Sequence, residues 1–189
     1  MKTSNFVLLS GVILSCYGGY IPAKAVLAQH LITVAWNRSI TNGLPIQPWS
    51  WADTYPVMKL SSKKHDQTLM VLSGDHGPSL AFGPGHNPQS FFPGKGTTMI
   101  SAHRDTHFSF LQDVVIGDEF QITDNTNQHH HYRVNTIKII DSRTQHITIN
   151  HEVDNLKLIT CWPFDALTSG SPYRYVITAT PYTEQEDLA

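Results

Sequence analysis

Leu156-Lys157-Leu158-Ile159-Thr160-Cys161 is a short, mainly apolar run that ends in a cysteine. A run of this length, with β-branched residues and no Gly or Pro, predicts a buried β-strand. The next such run, Tyr173 to Thr180, begins ten residues or so further on and carries Arg174 near its start. If the two strands pair as a hairpin, Cys161 and Arg174 become neighbours beside the connecting loop, Trp162 to Ser171.

The chain from residue 57 onward has the pattern of short strands separated by turn residues. Clusters such as Gly83-Pro84-Gly85 and Pro93-Gly94-Lys95-Gly96 supply the turns. Thr106 to Asp113 is the one helical candidate in this part of the chain. Eight strands predict an all-β fold, either a closed barrel or a sandwich. The predicted strands are residues 57–60, 68–72, 79–82, 97–102, 118–123, 130–140, 156–161 and 173–180.

The N-terminal segment, residues 1–36, is predicted to form a signal or anchor helix. Lys2 and Lys24 bracket an uncharged stretch of about the 20 residues that a helix needs to cross a bilayer. We interpret this segment as a retained single-pass anchor in the inner (plasma) membrane, with the rest of the chain on the periplasmic, extracytoplasmic side. Residues 37–55, rich in Pro, Trp and Asn, predict an extended linker. Residues 56–182 are the predicted β domain, and residues 183–189 are a tail.

Composition narrows the choice of partners. Thirteen Lys and Arg residues stand against 15 Asp and Glu residues, which gives a formal net charge of -2. A chain of this balance has no basic field that could bind a phosphate backbone by releasing counterions. Nucleic acid is therefore not an expected partner.

Cys161 is the strongest sign of chemistry. The other cysteine, Cys16, lies in the hydrophobic N-terminal stretch, so Cys161 is predicted to be a free thiol in an exported protein, where structural cysteines normally pair. A thiol attacks as the thiolate, and a nearby cation favours that form. Arg174 could hold a carbonyl oxygen as negative charge develops on it. His103, at the end of its own predicted strand, could give a proton to a leaving amine.

The amino-acid sequence around these residues resembles that of a known family. Leu158-Ile159-Thr160-Cys161 resembles the Leu-x-Thr-Cys signature of the sortases, which are bacterial cysteine transpeptidases. The resemblance runs from about Pro48 to Tyr182, and the subgroup it is most similar to is that of Gram-negative marine bacteria. The further segments that carry it are Trp49 to Thr54, Leu80 to His86, Ser101 to Phe108, Trp162 to Asp165 and Pro172 to Val176.

The resemblance implies an eight-stranded sortase-type β-barrel with short helices and a reaction in two acyl transfers. Cys161 would cleave a C-terminal Leu-Pro-x-Thr-Gly-like sorting signal after its Thr and form a thioester, and an amine acceptor that the sequence does not identify would release it. His103 would protonate the leaving amine, and Arg174 would stabilise the oxyanion. Arg174 and Thr160 are the predicted substrate-binding residues. No cofactor or metal is required.

One residue departs from the family pattern. Lys157 stands where many sortases have Thr before the Leu of the signature. It lies an even number of residues before Cys161 on an alternating strand, so the two side chains should share a face. A cation there is expected to alter the charge of the site rather than abolish its chemistry.

Two alternatives stay open at this point. His103 and His107 are four residues apart, so with Cys161 they could bind zinc in a metal-dependent hydrolase. The Glu of a His-Glu-x-x-His motif is absent, however, because Arg104 occupies its place. His129-His130-His131 could also bind a metal, although a solvated hairpin edge explains it as well. The second alternative is a non-enzymatic, membrane-tethered β domain that binds a partner at a strand edge.

Overall fold

The computed structural model describes residues 2–166, 168 and 170–183. An N-terminal helix, α1 (Lys2–Asn42), precedes eight strands, and two short 3-10 helices lie at Gly77–Ala81 and Ser109–Asp113. The strands are β1 (Pro56–Ser62), β2 (Gln67–Ser73), β3 (Gly85–His86), β4 (Thr97–Ser101), β5 (Glu119–Asp124), β6 (His129–Asp141), β7 (Asn155–Cys161) and β8 (Tyr173–Pro181).

The strands close into a barrel in the order β1-β2-β3-β4-β7-β8-β6-β5, which confirms the predicted eight-stranded barrel. Two of its pairs, β2 with β3 and β4 with β7, are parallel, and the others are antiparallel. Side chains alternate along each strand, so every second residue enters the barrel. The interior is packed with large apolar groups that include Leu60, Ile100, Phe120, Leu158 and Ile177.

The third strand is not where the sequence predicted it. Residues 79–82 belong to a 3-10 turn, in which the Phe82 amide donates to the Ser79 carbonyl at 3.0 Å. A proline at the start of this turn suits a helical turn better than a strand, because its ring fixes φ and removes a donor. The strand follows at Gly85–His86, where a Cβ on Gly85 would lie 2.2 Å from the Gly74 carbonyl oxygen. Only glycine allows that close approach.

The helical candidate at 106–113 shortens to a single 3-10 turn, Ser109–Asp113. Phe108 and Leu111 are fully buried in the barrel core on either side of the start of this turn. The Phe108 amide also donates to the His103 carbonyl at 3.0 Å. These contacts fix the chain that follows His103 against the end of the barrel.

Helix α1 continues beyond residue 36 and ends at Asn42, so the first six residues of the predicted linker are helical. Its second half packs against β1 and β2. The buried face is Ala28, Ile32, Ala35 and Trp36, at helical spacing, and the Gln29 side chain donates to the Phe82 carbonyl at 2.6 Å. Residues 184–189, most of the predicted tail, lie outside the described residues.

The structure gives no support for the predicted membrane anchor within the residues that it describes. Within the described residues, no helix combines the length and apolar character that crossing a bilayer requires.

Candidate active site

The alternation of side chains along β7 determines which face of the barrel carries the Cys161 side chain. Leu156 and Leu158 point into the barrel and are fully buried, whereas Ile159 joins a separate apolar cluster on the outer face. Cys161 has the same parity as Ile159, so its side chain belongs to that outer face. The thiol is free, as the sequence predicted, and it is half-buried. It therefore stands at the end of β7, within reach of a molecule on the barrel surface.

Arg174 is the direct cross-strand partner of Cys161 in the β7–β8 hairpin. This register confirms that the two residues are neighbours, because opposed residues on antiparallel strands point to the same face. Its Nη1 donates to the carbonyl oxygens of Ser171 at 2.6 Å and Tyr173 at 3.0 Å. The guanidinium is thus anchored to the loop before β8.

His103 reaches the same end of the barrel through a parallel pair. Ser101 of β4 is opposite Ile159 of β7, and the Ala102 amide donates to the Ile159 carbonyl at 3.1 Å. β4 ends at Ser101, so His103 follows that pair by two residues, as Cys161 follows Ile159 on β7. The His103 side chain is exposed. The end of β4 before His103 therefore lies beside the end of β7 that carries Cys161, and β7 in turn pairs with the start of β8 that carries Arg174.

Thr160 does not contact this surface. It is 3% exposed, and its hydroxyl donates to the Ala102 carbonyl at 2.7 Å. The neighbour of Cys161 on an alternating strand must face the opposite way, which is into the barrel. The prediction that Thr160 binds substrate therefore gives way to a structural role, because its hydrogen bond ties the end of β7 to the end of β4.

Arg104, which sequence reasoning did not select for this role, connects the histidine segment to the β7–β8 loop. Its guanidinium donates to the carbonyl oxygens of Ala166 at 2.9 Å and Thr168 at 2.8 Å. The loop after the cysteine is thereby attached to the residue after the histidine. This contact helps to fix the two sides of the site relative to each other.

An aromatic cluster closes the barrel end next to Cys161. The Trp162 and Tyr175 rings are stacked with their centroids 5.6 Å apart, and Phe164 packs edge-on against Tyr175 at 5.2 Å. Burial raises the pKa of the Tyr175 phenol, which keeps it neutral. The cluster lines an open pocket of about 610 Å³ together with Gln112, Pro163 and Asp165.

An apolar surface extends from Cys161 along the outside of the barrel. Its floor is formed by Met99, Ile159 and Val176 from β4, β7 and β8. Ile147 and Ile149 from the β6–β7 loop, residues 142–154, pack against this floor together with Ile140. The floor side chains are only 5–7% exposed because these isoleucines cover them, and we call the covered surface the outer groove. It runs away from the thiol in the direction of Lys157.

The histidines give no metal centre in the described residues, where no group of three or more His, Cys, Asp or Glu side chains is arranged to hold an ion. Burial lowers the pKa of His107, and the positive charge of nearby His103 lowers it further. His130 instead pairs with Asp124 at 3.0 Å, and His129 contacts Gln121 and Thr123. The zinc alternative is not favoured.

The described fold and site define a β-barrel protein with a cysteine, a histidine and an arginine at the end of three adjacent strands. Residues 60–182 match the family model described as Sortase domain. This chain belongs to the sortase family.

Individual relatives agree with that assignment. The chain is 32% identical over 120 residues to Sortase D of Bacillus subtilis (strain 168), a match that covers 62% of this chain and 60% of that protein. Among solved structures, sortase A from Corynebacterium diphtheriae is similar with a TM-score of 0.61 and 25% identity, covering 70% of this chain and 63% of the other. Clostridium perfringens Sortase D5 has the same fold, with a TM-score of 0.61, 20% identity and coverages of 78% and 88%.

Proposed function

We propose that this protein is a cysteine transpeptidase that cleaves a sorting signal and passes the acyl group to an amine. The observation that supports the proposal is the register of β4, β7 and β8, in which Arg174 is opposite Cys161 and β4, which ends two residues before His103, pairs with β7. Family membership supports it independently. A non-enzymatic β domain would have no need for a free thiol beside a histidine and an arginine, so that alternative is not favoured.

The first acyl transfer begins when the Cys161 thiolate attacks the scissile carbonyl carbon. A C–S bond forms, and negative charge moves to the carbonyl oxygen, where Arg174 is placed to stabilise it by donating hydrogen bonds. As the intermediate collapses, the C–N bond breaks and His103 gives a proton to the leaving amine. The product is a thioester on Cys161.

The second transfer reverses these roles. An incoming amine gives a proton to His103 and attacks the thioester carbon. A new C–N bond forms, the C–S bond breaks, and the Cys161 thiolate is restored. Arg174 donates to the same substrate carbonyl oxygen in both steps, so a single oxyanion site serves the whole cycle.

The outer groove supports a Leu-Pro-x-Thr-Gly-like signal as substrate. Its apolar floor and the isoleucines of the β6–β7 loop suit an apolar side chain a few residues before the scissile bond. A peptide that lies along this groove with its scissile bond at Cys161 would direct its leaving group past the end of β7. The second acyl transfer requires only that the acceptor is an amine.

Mass spectrometry on the whole protein tests this function directly. We expect incubation with a small library of Leu-Pro-x-Thr-Gly variants to give a mass increase equal to the acyl portion of one peptide, located on Cys161. Addition of an amine should then convert the adduct to a ligated product. The protein should first be treated with a chelator, because activity that disappears with the metal and returns with zinc would favour the hydrolase alternative instead.

We also propose that the N-terminal helix anchors the domain to the inner membrane, with the barrel on the extracytoplasmic side. The support is the uncharged stretch between Lys2 and Lys24 and the exposure of Leu14, Tyr17 and Ile21. The expected result is that the full chain stays with membranes after alkaline carbonate extraction, whereas a chain lacking residues 2–24 is released. Release of the full chain would contradict the anchor.

The segments Trp49 to Thr54 and Leu80 to His86 support membership of the Gram-negative marine subgroup.

A further inference from the structure

Lys157 lies on the outer face of β7 but is not an immediate neighbour of the thiol. A strand rises about 3.3 Å per residue, so four residues separate it from Cys161 by about 13 Å. Its ammonium instead donates to the Thr148 carbonyl of the β6–β7 loop at 2.7 Å. The expectation that this cation acts on the charge of the site is therefore replaced by a contact with the loop.

The two ends of the β6–β7 loop have their own attachments. At the start, Ser142 donates through its amide and its hydroxyl to the Pro172 carbonyl, at 2.9 Å and 2.7 Å. At the end, the Thr97 amide donates to the Asn150 carbonyl at 2.8 Å, and the Asn150 amide returns a bond to the Thr97 hydroxyl at 3.1 Å. Between these ends, Lys157 supplies the polar contact to the middle of the loop.

That contact falls between the two isoleucines that pack on the outer groove. Ile147 and Ile149 are half-buried against the floor, and Thr148 between them has an exposed side chain. A charge-assisted hydrogen bond to the Thr148 carbonyl holds the backbone at the point from which both isoleucines project. Burial lowers the pKa of Lys157, which shows that its ammonium is partly removed from water. A hydrogen bond in such surroundings is stronger than one in bulk solvent.

We propose that Lys157 is a positioning residue that fastens the middle of the β6–β7 loop to β7 and so holds Ile147 and Ile149 as the wall of the outer groove. The fastening itself rests on contacts within the chain, whereas its consequence for peptide binding rests on the function proposed above. A loop that is fixed in advance costs less ordering when peptide binds. Lys157 thus acts on peptide binding and not on the chemical step.

The test compares Lys157→Met, Lys157→Arg and a matched control, Lys63→Met. Methionine keeps much of the length but loses the donor, and arginine keeps both donor and charge. Lys63 is an exposed lysine in the turn between β1 and β2, and within the described residues its ammonium has no hydrogen-bond or ion-pair partner. Three quantities are measured: hydrogen exchange of the Gln145 and Asn150 amides, which donate to the Asp141 carbonyl at 2.9 Å and the Thr97 hydroxyl at 3.1 Å, KM and kcat for the peptide, and the rate of Cys161 alkylation by iodoacetamide.

Lys157→Met should speed exchange of the loop amides about tenfold and raise KM about tenfold, the effect of one lost charge-assisted bond. kcat should stay within about twofold, and alkylation should be unchanged, because the thiol is remote. Lys157→Arg and Lys63→Met should both resemble the wild type. Unchanged loop exchange in Lys157→Met, an unchanged KM, or an equal effect of Lys63→Met would overturn the proposal. If the wild type turns over no peptide, the proposed function fails while the exchange comparison still decides the fastening.

Discussion

Cys161→Ala is expected to remove the acyl adduct completely and to lower peptide turnover by at least about 10⁴-fold. The reason is that the thiolate forms the only covalent bond to substrate in the proposed cycle, and alanine offers no nucleophile in its place. The half-buried position of Cys161 at the end of β7 makes the loss of one sulfur atom mild for folding. Intact mass measured after incubation with peptide checks the adduct, and a thermal melt checks the fold.

The chain offers a matched control in its other cysteine. Cys16→Ala removes a thiol from the N-terminal helix and should leave the adduct and turnover at wild-type levels. If the adduct persisted in Cys161→Ala and disappeared in Cys16→Ala, the nucleophile would be Cys16 and the proposed role of Cys161 would be wrong. Turnover that survives in Cys161→Ala without any adduct would instead point to direct hydrolysis, which the thioester mechanism does not allow.

From the sequence, relative positions can be predicted only for those site residues that lie close together in the chain. Cys161 and Arg174 lie on consecutive strands joined as one hairpin, so strand periodicity and the pairing of neighbouring strands are enough to bring them together. His103 joins them through the parallel pair of β4 with β7, and a parallel pair leaves no local signal because its partners are distant in the chain. Its position could be expected only from the resemblance to a family.

Two errors have physical causes that the sequence did contain. Residues 79–82 are apolar enough for a strand, but the Gly-Pro that precedes them favours a tight turn. Thr160 is adjacent to Cys161, and strict alternation already places adjacent side chains on opposite faces of β7. In both cases the local geometry of the backbone outweighs the composition or motif signal.

The loop attachments could not have been predicted from residue types. Arg104 donates to the carbonyl oxygens of Ala166 and Thr168, and Lys157 donates to that of Thr148. A main-chain carbonyl is present at every position, so nothing in the sequence marks which one accepts. Such contacts are visible only in the folded chain, although they hold both loops that border the site.

Arg174→Met is expected to lower kcat/KM by about 10² to 10³-fold, the usual cost of losing one oxyanion donor. The hydrogen bonds that the structure gives Arg174 leave from Nη1, to the Ser171 and Tyr173 carbonyls. Nε and Nη2 therefore remain to donate to the substrate oxygen while Nη1 keeps the group in place. Arg174→Lys should recover little of the lost activity, because one ammonium cannot hold both carbonyls and also donate to the oxyanion at a fixed angle.

This pair of variants separates charge from geometry at the oxyanion site. If positive charge alone mattered, Arg174→Lys would retain most of the activity and only Arg174→Met would lose it. Arg38→Met, which removes an exposed arginine from α1, is the control and should keep wild-type kcat/KM. The iodoacetamide rate of Cys161 should be followed in each variant, because a large fall in turnover with little change in thiol reactivity assigns the loss to the oxyanion and not to the nucleophile. If Arg174→Met kept more than about half of the wild-type kcat/KM, Arg174 would not be the oxyanion donor, because loss of such a donor lowers the rate by about 10² to 10³-fold.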